Sequence, residues 1–514
     1  MASASLVSGT YPDAPSNRPN RAWAWLPLLL VALVRVSWIR AIPPDPIGPI
    51  DAEGFHLLAA NLLDGTGFAI GWTPPFCPTA IRTPLYPLLL AGSYTLLGRD
   101  PARVVYAQVL LEVLTAAWVV RLARRVTTLR SGAAAAYGWG LAAGALYALN
   151  GTTQRFTGAL LSETLLLSLV AAALDLTSRT LVAPTWRRAL PAGLVWGLAV
   201  LTKPNVQYLA LATGCLVLAR GWGLCPDRRR GGAAARGAIV AFSGALVVVI
   251  LPWVVRNRLV IGRWMISTVF EENLARVSAV ATLAELEGVR AEPWTETWEH
   301  LYRRVVGCTG AGAALSESCP PLWVRADCPQ LYRWQARATA SARRLVVGHL
   351  GAYIRAHLGG VARAALDPGH RFWYSTITGR DWSETGVVAL IGERMVWSLQ
   401  RGAVGDALQA FWTQRVREIP AVAAAIWWGL AAARLALWAL AVRGAWRLRG
   451  QPNVSLLLAG VTAYHLLLPG PISHDRLYAP AIPAVCVLLV WGCARSPWRG
   501  ATSGPSSLSE RDLR

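Results

Sequence analysis

Apolar residues gather into long runs separated by shorter polar stretches. The runs lie near residues 22–42, 103–122, 133–149, 159–178, 189–202, 204–220, 237–255, 420–442, 453–470 and 479–494. About 20 predominantly apolar residues are needed for a helix to cross a hydrocarbon core roughly 30 Å thick. The pattern therefore predicts ten transmembrane helices. The fifth and sixth form one long apolar stretch broken at Lys203-Pro204. Residues 43–102 are too polar and too rich in Pro to cross. Residues 256–419 form the largest polar segment, and their Trp, Arg and Glu content predicts helices lying on the membrane surface. The resulting division is a tail at 1–21, an N-terminal membrane module at 22–255 that includes the loop 43–102, the segment 256–419, C-terminal membrane helices at 420–494 and a tail at 495–514. The sequence shows no convincing internal repeat.

Composition agrees. Of 514 residues, 54% are hydrophobic and 15% charged, where a soluble protein carries about 25% charge. Mean hydropathy is +0.38. A net charge of +22 would suit a nucleic-acid partner if it formed one stripe. Instead the cations recur in clusters between apolar runs, at Arg18 and Arg21, Arg121 to Arg130, Arg179 to Arg188, Arg220 to Arg236, Arg443 to Arg449, and Arg495 to Arg514. Positive residues are retained on the cytoplasmic side, which excludes nucleic acid as the expected partner and places both termini in the cytoplasm. Lys203 is the only lysine. An Arg-dominated chain rich in Ala, Leu and Val points to a GC-rich bacterial genome and hence to a bacterial inner membrane. The first run contains Arg35 and Arg40 and no small-residue cleavage site follows it, so it reads as a signal anchor. Cys77, Cys308, Cys319 and Cys328 all fall in the outer segments, where two disulfides with three possible pairings are allowed.

Candidate chemistry sits on that same outer side. Asp51-Ala52-Glu53 opens a stretch in which Phe55, Leu58, Ala59 and Leu62 recur at helical spacing, predicting a short helix over 52–63 that Gly65 and Gly67 terminate. Asp51 is either an N-cap or a carboxylate held at the membrane surface as a general base. Arg82-Thr83-Pro84-Leu85-Tyr86-Pro87 fixes a guanidinium on stiff backbone, suited to a phosphate. Ser162-Glu163-Thr164 places an acid in the outer half of a span, where an acid is costly and usually paired or functional. Leu201-Thr202-Lys203-Pro204, Pro252-Trp253-Val254-Val255-Arg256-Asn257 and His474-Asp475-Arg476-Leu477-Tyr478 complete the set. Singly each is an ordinary interfacial anchor. No compact metal-ligand set appears, although a divalent metal is compatible with the pattern.

The order of these pieces resembles the GT-C superfamily of polyprenyl-phosphate-sugar glycosyltransferases, and in particular the bacterial branch of the protein O-mannosyltransferases and the aminoarabinose transferases. The resemblance spans about 51–275 and 460–494 well and the intervening outer segment weakly. It departs at Asp51 and Glu53, which Ala52 separates, and at Arg476-Leu477-Tyr478, where Arg-Tyr is commoner. It implies an all-α, GT-C-type polytopic bundle with juxtamembrane helices. It also implies a transferase using a polyprenyl-phosphate sugar donor drawn from the membrane lipids and an extracytoplasmic acceptor. By that resemblance Asp51 is the catalytic carboxylate and Arg82 contacts the donor phosphate. From their place on the same outer face, Lys203, Arg256 and Arg476 are expected as further phosphate contacts, and Glu53 is expected to assist Asp51 or to bind acceptor. Glu163, His474 and Tyr86 contact sugar or acceptor. A lipid-linked-sugar flippase and a non-catalytic polyprenyl-phosphate-binding envelope protein are the rival readings. Among enzymes, a transferase with a pyrophosphate donor is the nearest alternative.

Overall fold

A computed structural model describes residues 25–494 except 42–44, 49, 129–132, 222–232, 290, 292–294, 308–327, 367–373, 375–376, 379–397, 399–401, 413–420, 469 and 472–474. The architecture is all-α, apart from one two-stranded hairpin. Each of the ten apolar runs is occupied by a helix: α1 (Leu26–Ala41), α4 (Pro101–Thr128), α5 (Ala133–Ala148), α7 (Glu163–Val182), α8 (Trp186–Thr202), α9 (Val206–Gly221), α10 (Ala233–Ile261), α17 (Ala421–Arg447), α18 (Pro452–Leu467) and α20 (Ile482–Cys493). Among the described residues, four helical stretches are long and apolar enough to cross a membrane, at 101–128, 163–182, 234–261 and 476–493. The chain is a multi-pass membrane protein.

The 43–102 segment holds α2 (Ile50–Leu63), close to the predicted 52–63, then β1 (Ala69–Ile70), β2 (Cys77–Pro78) and α3 (Leu85–Leu97). The apolar helix α3 was hidden in the sequence by Pro84 and Pro87. Proline is tolerated in the first helical turn, where the backbone N–H has no intrahelical acceptor. At 13 residues α3 is roughly 20 Å long, too short to cross. Gly65 and Gly67, with φ of 76° and 85°, let the chain leave α2 and reverse into the hairpin.

Helix packing follows from small residues. A Cβ at Gly193 would collide with the carbonyl oxygen of Phe242, and one at Gly444 with that of Leu488. These glycines let α8 touch α10 and α17 touch α20 backbone to backbone, as close packing in lipid requires. One continuous core links α1, α4, α5, α7, α8, α9, α18 and α20. Within it, Arg35 of α1 and Glu112 of α4 are fully buried and paired at 3.0 Å. Tyr147 donates to Glu112 at 2.9 Å, while Arg35 donates to Ala148 O and Thr153 Oγ1. The sequence exposed the charge at Arg35 but not its partner. At the opposite end of the bundle from the candidate residues, buried Asp175 takes Arg125 and Arg179 at 3.0 Å each.

The described part of 256–419 builds its own core. It contains α11 (Val269–Asn273), a π-helical segment (Leu274–Ala279), α12 (Val280–Glu287), α13 (Glu296–Val305), α14 (Cys328–Gly348), α15 (Leu350–Leu366) and α16 (Val404–Trp412). Trp298, Leu301, Tyr302 and Trp334 anchor that core.

Candidate active site

Five charged side chains meet where one set of helix ends converges. Asp51 stands in the first turn of α2, inside the helix rather than at its N-cap. Its Oδ1 accepts from Arg82, in the turn that leads through Thr83 and Pro84 into α3, and its Oδ2 accepts from Arg476 of α19 (Asp475–Tyr478). Arg476 also donates through Nε to Glu163 Oε1, at the start of α7. Lys203, at the C-terminus of α8, donates to the same oxygen at 2.5 Å. The network thus runs Arg82, Asp51, Arg476, Glu163, Lys203 without a break.

Up-and-down topology explains the convergence. The start of α7, the end of α8 and the entry to α20 all lie at one end of the bundle, and α2 is laid across that end by the first loop. Glu163 is fully buried, while the side chains of Arg82, Arg476 and Lys203 remain 17%, 21% and 16% exposed. Burial opposes the charge on Asp51, but Arg82 and Arg476, with Lys203 behind them, outweigh it and hold the carboxyl well below its ordinary range. Three cations against two carboxylates leave one positive charge. Two acceptor atoms at this end, Glu163 Oε2 and Asn205 Oδ1, are buried with no hydrogen-bond partner among the described residues.

Arg256, Tyr86 and Glu53 form no ion pair or hydrogen bond with this network among the described residues. Arg256 reaches the carbonyls of Thr79 at 2.7 Å and Phe68 at 2.9 Å, with its guanidinium over the rings of Trp253 and Phe68. It ties together the residues that flank the two strands, at the open end of the hairpin that precedes Arg82, rather than joining the charged network. Asn61 holds the same hairpin through Ala69 O and Gly71 O, and Tyr332 of α14 through Pro78 O. Cys77, in β2, is disulfide-bonded. Tyr86 is fully buried, donates to Gln108 Oε1 at 2.8 Å and packs edge-on against Phe55. Glu53 is exposed on α2. His474 lies outside the described residues. Among the described residues, no group of three or more His, Cys, Asp or Glu gathers to hold a metal ion.

One residue near the network escaped the sequence reading. Glu272, in α11, lies within electrostatic reach of both Arg82 and Asp51, and burial raises its carboxyl above the usual range. Its only sequence signal was its place in an acidic pair, Glu271-Glu272, in a segment whose orientation the hydropathy pattern leaves open.

Archaeal oligosaccharyltransferase AglB from Archaeoglobus fulgidus, solved with an inhibitory peptide and a dolichol-phosphate, is 13% identical, with a TM-score of 0.44. The match covers 91% of this chain and 50% of that one. An Archaeoglobus fulgidus oligosaccharyltransferase tethered through a disulfide to an acceptor peptide containing the NVT sequon is 14% identical, with a TM-score of 0.30, covering 91% and 63%. The chain thus spans about half the length of the first of these structures. No curated protein sequence matches it. Residues 81–254, which include Arg82, Glu163 and Lys203, match the family described as dolichyl-phosphate-mannose-protein mannosyltransferase. The GT-C resemblance carried by the sequence motifs is therefore met, over residues 81–254, by a match to the dolichyl-phosphate-mannose-protein mannosyltransferase family.

Proposed function

We propose that the protein is a membrane glycosyltransferase that moves a sugar from a polyprenyl-phosphate donor to an acceptor on the outer face of a bacterial inner membrane. The observation that carries this reading is the single network of Asp51, Arg82, Arg476, Glu163 and Lys203 at one end of the helix bundle. The matched family's description names a polyprenol phosphate sugar as donor, and the network's charge suits one. A sugar phosphodiester carries one negative charge, which matches the single excess positive charge of the network. A diphosphate donor would bring two.

The chemistry follows from that balance. Phosphate is a good leaving group, so no second carboxylate is required to protonate it, unlike the acid pair of glycoside hydrolysis. Arg82 and Arg476 bind the donor phosphate and stabilise the charge it gains as the bond to the anomeric carbon breaks. To do so they release Asp51 in part, and a carboxylate freed from two guanidinium groups becomes a stronger base. Asp51 then takes the acceptor proton while the acceptor oxygen attacks, and direct displacement inverts the anomeric centre. Buried Glu163 Oε2 and Asn205 Oδ1 offer acceptor atoms to sugar hydroxyls. Arg256 supports the loop that presents Arg82, and exposed Glu53 assists at the acceptor side.

Transfer of label from a polyprenyl-phosphate sugar to membrane acceptors tests the reading. The expected result is an acid-stable glycosidic product that requires Asp51. Movement of labelled sugar-lipid across liposomes with no covalent product would establish a flippase instead.

A further inference from the structure

We propose that Glu272, Arg276 and Tyr302 form the acceptor subsite, and that it takes an uncharged, polyhydroxylated glycan. The inference deepens the glycosyltransferase reading and depends on it only for calling the bound glycan an acceptor.

The cluster is fixed beside the charged network by the backbone. Thr268, which precedes α11, donates through its N–H to Ala80 O at 3.1 Å, and Ser267 Oγ donates to Ile81 O at 3.0 Å. Those carbonyls belong to the two residues before Arg82, so α11 starts at the donor-binding loop. Glu271 is engaged by both terminal nitrogens of Arg263. Its neighbour Glu272 has no side-chain hydrogen bond among the described residues, stands four residues before Arg276 along continuous helical backbone, and lies within electrostatic reach of Arg82, Asp51, Arg276 and Tyr302.

Arg276 belongs to the six-residue π-helical segment, a conformation found often at functional sites. Its guanidinium lies over the Tyr302 ring, 4.6 Å from the centroid. Among the described residues Arg276 Nε is buried without a hydrogen-bond partner, and the hydroxyl of Tyr302, a residue only 5% exposed, has nothing but the Arg276 side chain within reach. Buried polar groups in folded proteins are almost always fully paired, so a guanidinium and a phenol left to each other have capacity for a further partner. A carboxylate that accepts, a guanidinium that donates and a phenol that does both match vicinal hydroxyl groups. Trp334 packs edge-on against the Tyr302 ring from within the core of this segment, with centroids 6.5 Å apart, and fixes its position. Glu272 and Arg276 balance in charge, unlike the donor network, so the ligand that fits carries no net charge.

The test uses the full chain in detergent, with a panel of neutral gluco-, manno- and galacto-configured tetrasaccharides, a serine- and threonine-containing hexapeptide, and farnesyl phosphate as the donor-site probe. Saturation-transfer NMR reads binding. At least one tetrasaccharide binds, Glu272→Gln and Tyr302→Phe each weaken it about tenfold, and Tyr302→Phe leaves farnesyl phosphate affinity within about twofold. Failure of wild-type protein to bind any tetrasaccharide, binding of the hexapeptide in their place, or tetrasaccharide binding indifferent to both substitutions overturns the inference. Absence of farnesyl phosphate binding sinks the donor reading instead, and leaves the glycan subsite to be judged on the tetrasaccharides alone.

Discussion

Replacing Asp51 with Asn should tighten phosphate binding while abolishing most turnover. Asp51 accepts from both Arg82 and Arg476, and the three side chains are 29%, 17% and 21% exposed. A hydrogen bond to a charged group contributes about 1.5–3 kcal/mol, and a docking phosphate must displace at least part of two such bonds. An amide at position 51 competes far less well for the guanidinium groups. Allowing for solvent screening at these partly exposed positions, the gain in phosphate affinity is about 1.4 kcal/mol, or tenfold. The same change removes the proposed base, for which a loss of roughly 10²–10⁴ in turnover is expected. Farnesyl phosphate affinity, measured by calorimetry in detergent, and transfer from a labelled polyprenyl-phosphate sugar read the two effects separately. Weaker or unchanged phosphate binding would show that Arg82 and Arg476 are not poised for the donor. Wild-type turnover with normal expression would remove Asp51 as the base.

The network also sets a pH dependence. Because the native Asp51 carboxyl titrates below its unfolded value of about 3.9, its stabilisation is complete above that value and is lost as pH falls towards the native one. The gap in melting temperature between wild type and Asp51→Asn should be constant from pH 8 to 5 and close below pH 4. Glu112→Gln, which leaves Arg35 buried without its counter-charge, should cost about 3–5 kcal/mol, whereas the joint change Arg35→Met with Glu112→Leu should come near neutral by denaturant titration. Arg256→Ala removes two charge-assisted bonds to the hairpin carbonyls. It should speed amide exchange across 66–80 and lower turnover, while farnesyl phosphate affinity falls less than in Arg82→Ala. Gly193→Ala forces a methyl group against the Phe242 carbonyl and should destabilise the protein by about 1–3 kcal/mol, read as a lower melting temperature.

Much of the site was legible because costly residues stand out against an apolar background. Asp51, Arg82, Glu163, Lys203 and Arg476 were each visible as charges beside or inside apolar runs, and all five meet. Arg256 looked the same in sequence, yet its donors serve the backbone carbonyls of Phe68 and Thr79. Nothing local distinguishes a guanidinium held for phosphate from one that braces a hairpin. Glu272 was missed for the opposite reason, since a glutamate in an amphipathic stretch ordinarily faces water.

The sequence by itself determined the ten helical runs, their sidedness signal and the short helix carrying Asp51. Hydropathy period, helix length and charge distribution are properties of neighbouring residues, so each run carries its own signal. Tertiary structure alone decided which charges become partners. Asp51 and Arg476 are 425 positions apart, and Arg35 meets Glu112 across 77. Such pairings arise from how helices cross, where glycine permits backbone contact, and which ends of the bundle share a face, none of which any single segment encodes.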